Sequence, residues 1–377
     1  MKRVLFLTGT RADFGKLKPL IRKVRAEDEF EVVIFATGMH MLSRYGSTIN
    51  EIYKSGFDNV FTFINQDASG QGMDLTLANT VQGLSLYVRE FPPDIIVVHG
   101  DRLEALAGAI VGAFNNILVA HVEGGEISGT IDELIRHSVS KLAHIHFVSN
   151  EEARTRLLQM GELPEAVHAI GSPEVDLMLS DELPGLAEVK SRYEIPFEDY
   201  AIFAYHPVTT ELDALPRRVD EIMDAIRQSG ENYVVIYPNN DEGSDVIFRG
   251  IETLRGNPKV RLIPSMRFEH YLTLLRNARF IMGNSSSSVR EAPVYGVPTI
   301  NLGSRQSNRS NSASIFNVEE STSAILDAIR SLPGHIAPSL QFGSGDSADR
   351  FVEVLLGDST WEILRQKQFK DLAVAEA

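Results

Sequence analysis

The chain is 377 residues long, which predicts two domains, and its 43% hydrophobic and 23% charged residues are typical of a soluble globular protein. It contains no cysteine, which excludes disulfides and thiolate metal sites, and its formal net charge of −15 argues against nucleic acid or an anionic membrane as a general partner. No apolar run reaches the roughly 20 residues needed to cross a bilayer, and the run near Met1 is too short for a secretory signal, so we expect a cytoplasmic protein.

Apolar runs alternate with helical patterns through the first half of the chain. We predict strands at 4–7, 32–36, 95–98, 117–120, 145–148 and 166–170, and helices at 16–25, 75–90, 104–114, 131–142 and 151–159. Such alternation is typical of a doubly wound, mostly parallel sheet. The first half is therefore predicted to form an α/β domain.

The same alternation restarts after residues 171–200, which are rich in Pro, Ser and acidic residues and are interpreted as a linker. We predict strands at 201–205, 234–237, 260–263, 280–282 and 299–301, and helices at 217–228, 268–276, 289–295, 321–330 and 360–369. Trp361, in the last helix, is interpreted as a core anchor. The predicted fold class is α/β, with two Rossmann-like domains facing across a cleft, at 1–172 and 173–358, and a C-terminal helix at 359–377.

Acidic side chains follow two neighbouring strands of the predicted first sheet. Asp101 and Glu123 come just after the strand runs, Asp132 lies a few residues further on, and Arg102 accompanies them. Ligands of an open parallel sheet bind beyond the carboxyl ends of the strands, and carboxylates gathered there can divide into acid and base. The alternative for Asp132 is a helix cap. We predict that the three carboxylates form a catalytic group.

A glycine-containing turn after the first strand, GTRADFGK, leads into a helix. Backbone N–H groups at such a helix start favour an anion, and Arg11 and Lys16 add positive charge. The turn matches neither the GxGxxG fingerprint nor the Walker P-loop. The alternative is an ordinary βα turn that uses glycine for backbone freedom.

A second turn of this kind, GNSSSSVREAP, follows a strand in the second half. Its serines, with Ser285 and Ser286 first, suit a diphosphate, and Glu291 is placed to accept hydrogen bonds from ribose. The alternative is a flexible polar loop with a helix cap. Arg305 adds a guanidinium beyond another strand, and His206 ends the first strand of this half. No HExxH or comparable spacing occurs, so we expect no metal.

Taken together, these motifs resemble the UDP-N-acetylglucosamine 2-epimerase family, and specifically its hydrolysing, sialic-acid-pathway branch. The likeness covers nearly the whole chain through GTRADFGKLKP, TGMH, HGDRLEALAGA, EGGEISGTID, IRHSVSKLAHIH, HPVTTE, YPNND, GNSSSSVREAP and GSRQSNR. The resemblance implies a GT-B fold, in which two Rossmann-like domains hold the active site between them and a C-terminal helix returns to the first.

The resemblance also implies a reaction. UDP is eliminated from C1 as the C2 proton is removed, and water adds to the 2-acetamidoglucal intermediate to give N-acetylmannosamine. The family's catalytic residues correspond to Asp101, Glu123 and Asp132, and we group His206 with them, facing the diphosphate. The expected substrate-binding residues are Arg11, Lys16, Arg102, Asn239, Met266, Ser285, Ser286, Glu291 and Arg305. No cofactor or metal is implied, and a homodimer or homotetramer is expected.

Three alternatives stay open at this point. The same hydrolysing reaction on a UDP-2,4-diacetamido-2,4,6-trideoxy sugar, as in legionaminic acid pathways, would use the same motifs. A GT-B glycosyltransferase would share the fold and the UDP loops but would need an acceptor. A nucleotide-sugar sensor would share the binding site, but the acidic residues at 101, 123 and 132 argue against lost catalysis.

Overall fold

A computed structural model describes residues 1–67, 72–128, 131–238, 241–306, 310, 312–334 and 336–372, and the chain divides into two compact units. The first unit comprises Met1–Glu126, Ile131–Leu179 and Phe342–Ala377. The second comprises Ile127–Thr130 and Ser180–Gln341. Each unit is built on one parallel sheet, which confirms the predicted α/β class.

The first unit holds a seven-stranded sheet in the order β3-β2-β1-β4-β5-β6-β7. Its strands are β1 (Lys2–Thr8), β2 (Phe30–Ala36), β3 (Val60–Thr62), β4 (Ile95–His99), β5 (Leu118–Val122), β6 (Ile145–Val148) and β7 (Val167–Ala169). Its helices are α1 (Arg11–Arg25), α2 (Ile49–Lys54), α3 (Met73–Glu90), α4 (Leu103–Phe114), α5 (Ile131–Leu142), α6 (Glu151–Gln159), α7 (Pro173–Leu179), α14 (Ser347–Leu356) and α15 (Asp358–Trp361).

Both faces of this sheet are buried, which explains why its strands are mainly apolar. Successive side chains of β1 point to opposite faces, so Phe6 packs with the core that includes Leu17 and Phe351, while Leu5 packs with the core that includes Leu84 and Val139. Helices α1 and α14 therefore cover one face, and α3, α4 and α5 cover the other.

The second unit repeats the arrangement with six parallel strands in the order β10-β9-β8-β11-β12-β13. The strands are β8 (Ala201–Ala204), β9 (Tyr233–Ile236), β10 (Val260–Ile263), β11 (Ile281–Gly283), β12 (Thr299–Leu302) and β13 (Ile315–Val318). The helices are α8 (Leu186–Arg192), α9 (Leu215–Ser229), α10 (Ser244–Glu252), α11 (Phe268–Arg276), α12 (Glu291–Val294) and α13 (Thr322–Ser331). In the described ranges, no helix combines the length and the apolar character that crossing a membrane requires.

Each sheet reverses its winding direction at one pair of neighbouring strands, β1 and β4 in the first unit and β8 and β11 in the second. Such switch points open a crevice beyond the carboxyl ends of the strands, where ligands of doubly wound folds bind. In the first unit the two chain segments leaving this point begin at Gly9 and Gly100; in the second they begin at Tyr205 and Asn284.

The unit boundaries differ from the predicted ones at 172/173 and 358/359. Helix α7 stays with the first unit because the buried carboxylate of Asp176 accepts hydrogen bonds from the backbone N–H groups of Ser347, at 3.0 Å, and Ala348, at 2.7 Å. This contact ties α7 to the start of α14, so the chain rejoins the first unit at Phe342. The segment 171–200 also contains helices α7 and α8 where a linker was predicted.

The predicted C-terminal helix at 360–369 is wrong, because α15 ends at Trp361 and the following residues form no regular structure. Leu364 and Phe369 are 70% and 86% exposed and Ile363 packs only partly against the first unit's core, so this stretch buries little apolar surface that could stabilise a helix. The anchoring role of Trp361 is confirmed. Its Nε1 donates to the carbonyl of Leu355 at 2.8 Å, and its ring packs beside Phe30 in the first unit's core.

Gly283 ends β11 with a φ of +136°, in a region that residues with a side chain rarely adopt. A Cβ at this position would overlap the carbonyl oxygen of Ala204 on the neighbouring strand. We expect Gly283→Ala to destabilise the protein by about 3 kcal/mol, measured by urea unfolding. Gly185→Ala is the matched control, since its Cβ meets open space. Equal stability of the two variants would contradict the prediction.

Candidate functional site

Asp101 follows β4 at the switch point of the first sheet, and its partner is a buried arginine. The guanidinium of Arg136, on α5, forms an ion pair with the Asp101 carboxylate and donates to the Glu126 carbonyl at 3.1 Å. The Asp101 side chain is 28% exposed, whereas that of Arg136 is 1% exposed. The arginine thus orients the carboxylate, which stays partly accessible to solvent.

Glu123 follows β5, the strand next to β4, and its backbone is strained. Its φ is +64°, a left-handed conformation that is uncommon for a residue with a long side chain and is found mainly at functional sites. Ser172 Oγ donates to one carboxylate oxygen, and His99 Nε2 lies 3.1 Å from the other without forming a hydrogen bond. The hydrogen bond from Ser172 thereby orients Glu123.

Asp132 lies in the first turn of α5, one helical turn before Arg136. It is inside the helix rather than preceding it, so it is not the N-cap that the alternative interpretation required. Burial lowers the pKa of the Arg136 guanidinium, but the charges of Asp101, Glu126 and Asp132 outweigh burial and the pKa is raised. Arg136 therefore links Asp101 and Asp132 electrostatically, and the sequence reasoning missed it; its spacing of four residues from Asp132 is the signal that could have identified it.

A fully buried histidine supports the turn that carries Asp101. His121 Nε2 lies 2.8 Å from the carbonyl oxygen of Gly100, and its Nδ1 lies 3.0 Å from Ser140 Oγ. Because a carbonyl can only accept, Nε2 carries the proton and Nδ1 accepts from the serine. Burial lowers the pKa of His121 to about 3, so the ring is neutral at physiological pH.

This histidine predicts an acid-dependent loss of stability. Between about pH 6.5 and pH 3 the unfolded chain binds a proton at His121 that the folded protein excludes, so lowering the pH favours unfolding by about 1.4 kcal/mol per unit. Urea unfolding from pH 7 to pH 4.5 should show this slope. In His121→Gln the slope should be smaller by about 1.4 kcal/mol per pH unit, which corresponds to one proton. An unchanged slope would rule out that His121 is neutral in the folded protein.

The turn after β1 was predicted to bind an anion, but its backbone N–H groups donate to a carboxylate of the chain itself. The backbone N–H groups of Gly9 and Thr10 each donate, at 2.9 Å, to the carboxylate of Asp13, which forms a capping box with Thr10. Lys16 forms an ion pair with Glu174, whose side chain is 1% exposed. The two N–H groups and the Lys16 ammonium thus have partners within the first unit. Arg11 is half-buried at the start of α1.

The switch point of the second sheet is organised by Asn284, which the sequence reasoning missed. Its Oδ1 accepts from the backbone N–H of His206 at 2.7 Å, and its Nδ2 donates to the carbonyl of the same residue at 2.8 Å. The Asn284 carbonyl accepts from Arg305 Nη1 at 3.2 Å and from Gln306 Nε2 at 2.9 Å. The buried Asn284 therefore contacts both residues that the sequence predicts for the site, His206 through its side-chain amide and Arg305 through its backbone carbonyl.

The serine run divides into structural and accessible members. Ser287 is buried and bonded to Tyr271, and Ser288 is buried with its Oγ donating to the Ser285 carbonyl at 2.6 Å. Ser285 and Ser286 are only half-buried and begin the short 3₁₀ turn Ser286–Ser288. The two serines predicted to bind substrate are therefore the accessible ones.

The remaining predicted residues fall into different environments. Glu291 begins α12 and is 2% exposed. Burial raises the pKa of the partly buried Tyr271 and Tyr295, and the charge of Glu291 raises both pKa values further. The Met266 side chain is 9% exposed and belongs to the hydrophobic core of the second unit, and its contact with UDP stays a prediction. Asn239 lies outside the described residues. In the described ranges, no three His, Asp or Glu side chains are placed to hold a metal ion.

Comparison with known proteins gives a consistent result. The family model for UDP-N-acetylglucosamine 2-epimerase matches residues 22–356. A UDP-N-acetylglucosamine 2-epimerase of Neisseria meningitidis is 47% identical over 99% of this chain and 100% of its own length. A UDP-N,N′-diacetylbacillosamine 2-epimerase (hydrolyzing) of Legionella pneumophila is 31% identical over 94% of this chain and 96% of its own.

Solved structures share the fold. The UDP-GlcNAc 2-epimerase of Neisseria meningitidis bound to UDP-GlcNAc superposes with a TM-score of 0.79 at 19% identity, covering 94% of this chain and 99% of the other. The Methanocaldococcus jannaschii UDP-GlcNAc 2-epimerase, in complex with UDP-GlcNAc and UDP, gives the same TM-score at 21% identity, again over 94% of this chain and 99% of the other. At these identities the likeness establishes the two-domain α/β architecture alone.

Proposed function

Since the chain belongs to the UDP-N-acetylglucosamine 2-epimerase family, we propose that it converts UDP-N-acetylglucosamine and water into N-acetylmannosamine and UDP, supplying sialic acid synthesis for a surface polysaccharide. The observation that carries this proposal is the pair of oriented carboxylates after the adjacent strands β4 and β5. Asp101 is oriented by Arg136, and Glu123 is oriented by Ser172, with His99 beside it.

The proposed chemistry needs carboxylates in two roles. Removal of the C2 proton during UDP loss requires a base, and addition of water to the resulting glycal requires an acid and a base. Asp101, Glu123 and Asp132 supply three such groups, and their different partners give them different environments. No cofactor is needed because neither step transfers electrons.

We assign the nucleotide to the second unit. The accessible hydroxyls of Ser285 and Ser286, together with His206 and Arg305, are placed around Asn284 to bind the diphosphate and stabilise the charge that develops on the leaving UDP. Glu291 is proposed to bind ribose. Arg11 and Arg102 are proposed as further substrate-binding residues, whereas the ion pair of Lys16 with Glu174 argues against a substrate contact for that residue.

Hydrolysis, rather than release of an epimerised nucleotide sugar, is supported by the EGGEISGTID sequence and by the hydrolysing relative described above. An NMR time course with UDP-N-acetylglucosamine in deuterated water tests the proposal. We expect equal amounts of UDP and free N-acetylmannosamine, with deuterium at C2. Accumulation of UDP-N-acetylmannosamine would instead indicate a non-hydrolysing enzyme, and UDP release only with an added acceptor would indicate a glycosyltransferase.

The second candidate substrate is a UDP-2,4-diacetamido-2,4,6-trideoxy sugar. The Legionella relative favours it, because its name refers to a UDP-N,N′-diacetylbacillosamine and it aligns with nearly the whole chain. Rates measured side by side on both nucleotide sugars decide the question. A higher kcat/KM on the diacetamido sugar would replace the first proposal and leave the reaction type intact.

We propose that the chain forms a homodimer or homotetramer and acts in the cytoplasm, where the absence of cysteine matches a reducing environment. Three adjacent helices of the first unit, α3, α4 and α5, expose the large apolar side chains of Leu86, Phe114 and Leu134, which are 61%, 79% and 65% accessible. Light scattering should give the mass of two or four chains, and Leu134→Glu should lower it. A monomer at micromolar concentration would overturn this proposal.

A further inference from the structure

Three charged side chains of the second unit form a network that the proposed mechanism does not use. Arg218, on α9, bridges two carboxylates: its Nη1 donates to Glu211 Oε2, and its Nε lies 2.9 Å from Glu320 Oε2. Glu211 lies on the loop after β8 and is 31% exposed, whereas Glu320 follows β13 and is 7% exposed. Hydrogen bonds from Ser304 and from Arg218 lower the pKa of Glu211, so this carboxylate is charged at neutral pH. We refer to Glu211, Arg218 and Glu320 as the Arg218 network.

Both carboxylates of the Arg218 network contact the loop after β12, which carries Arg305. Glu211 Oε1 accepts a hydrogen bond from Ser304 Oγ at 2.6 Å. Glu320 lies against Gly303, which has a φ of +70° and where a Cβ would be 2.7 Å from Glu320 Oε1. The glycine therefore permits the close approach of this carboxylate to the loop. The two residues that precede Arg305 are thus each in contact with one member of the network.

The same network reaches the residue that precedes His206. Tyr205 is 1% exposed, and its hydroxyl donates to Glu320 Oε1. The network therefore connects the loop after β8, which carries His206, with the loop after β12, which carries Arg305. These are two of the groups to which the proposed function assigns the diphosphate.

We propose that Glu211 and Arg218 are positioning residues, which set the loop of Ser304 and Arg305 in the geometry that binds the diphosphate of the nucleotide. This inference rests on the proposed function, because that function places the diphosphate beside Arg305. The Arg218 guanidinium is paired with two carboxylates of its own unit, so it acts on the nucleotide through the loop and not by contact. Hydrogen bonds from a guanidinium to phosphate depend on geometry, so a displaced Arg305 would bind the diphosphate less well.

The test measures the Kd of UDP and of UMP, which lacks the second phosphate, by calorimetry on the full-length protein. Glu211→Ala makes the site more positive, so charge alone would tighten UDP binding. The proposal predicts the opposite sign: the Kd of UDP should rise by about tenfold, and that of UMP by less than about twofold. Asp213→Ala is the matched control, because it removes the same charge from an exposed side chain two residues away and should leave both Kd values within about twofold.

A second pair of variants acts from the other side of the ion pair. Arg218→Met should lower the preference for UDP over UMP by about tenfold, and Arg218→Lys, which keeps the charge, should restore part of it. Tighter UDP binding in Glu211→Ala, or an equal loss of UDP and UMP affinity in either variant, would overturn the proposal, since a general effect on the fold weakens both ligands alike. If the wild type does not bind UDP, the proposed function fails; if it does and the ratio of the two Kd values is unchanged in Glu211→Ala and Arg218→Met, only the role of the Arg218 network fails.

Discussion

Replacing Glu123 by glutamine is expected to lower kcat by about 10³-fold while leaving the affinity for UDP nearly unchanged. The amide keeps the size of the side chain and can still accept from Ser172, but it cannot take or give a proton in the reaction. Turnover is measured as UDP release and affinity by calorimetry with UDP, which lacks the sugar that the carboxylate would contact. Asp101→Asn and Asp132→Asn are expected to behave in the same way.

Glu133→Gln serves as the matched control. Glu133 lies next to Asp132 on α5, has an intermediate exposure and lies 3.6 Å from His137, so its amide should leave turnover within about twofold. Normal turnover in Glu123→Gln would remove this residue from the catalytic group. Loss of UDP binding together with turnover would instead point to a general effect on the fold.

Replacing Arg136 by alanine is expected to reduce both stability and turnover. The change leaves Asp101 without its cation and frees the Glu126 carbonyl from its hydrogen bond, and breaking a buried ion pair costs about 3 kcal/mol. Turnover should fall by about 10²-fold or more, because Asp101 loses the group that orients it. Urea unfolding and UDP release measure the two effects.

A double variant separates these effects. In Arg136→Met/Asp101→Asn both charges are removed and the volume is largely retained, so stability should recover most of the loss while turnover stays low. Arg136→Lys keeps the charge but loses the planar guanidinium, and it should show intermediate turnover. Recovery of turnover in the double variant would contradict the role assigned to Asp101.

Most strands of both sheets were predictable from the sequence, because a parallel strand buried on both faces must be largely apolar. The runs at Ile95–His99 and Tyr233–Ile236 show this directly. Short edge elements such as Val60–Thr62 and Ile315–Val318 were missed, because three or four partly exposed residues carry too little periodicity. The C-terminal stretch after Trp361 was predicted to be a helix but forms no regular structure, because local helical preference alone does not stabilise a segment that buries little apolar surface.

The acidic residues at 101, 123 and 132 were also found from the sequence, since strand ends of a parallel sheet meet at one edge. Their partners could not be found in that way. Arg136, Ser172 and Asn284 are ordinary residues in their local sequence, and only the folded chain brings them to Asp101, Glu123 and His206. Lys16 shows the converse. Its position beside the glycine-containing turn after β1 predicted anion binding, whereas in the folded chain it forms an ion pair with Glu174.

Local pattern and residue type were thus sufficient to predict the class of fold, the family and the chemical groups available at the strand ends. Which of those groups are oriented, and which are engaged by internal partners, depends on the folded chain. The physical reason is that hydrogen bonds and ion pairs across the sheet join residues tens of positions apart. Their geometry follows from packing and cannot be read from neighbouring residues along the chain.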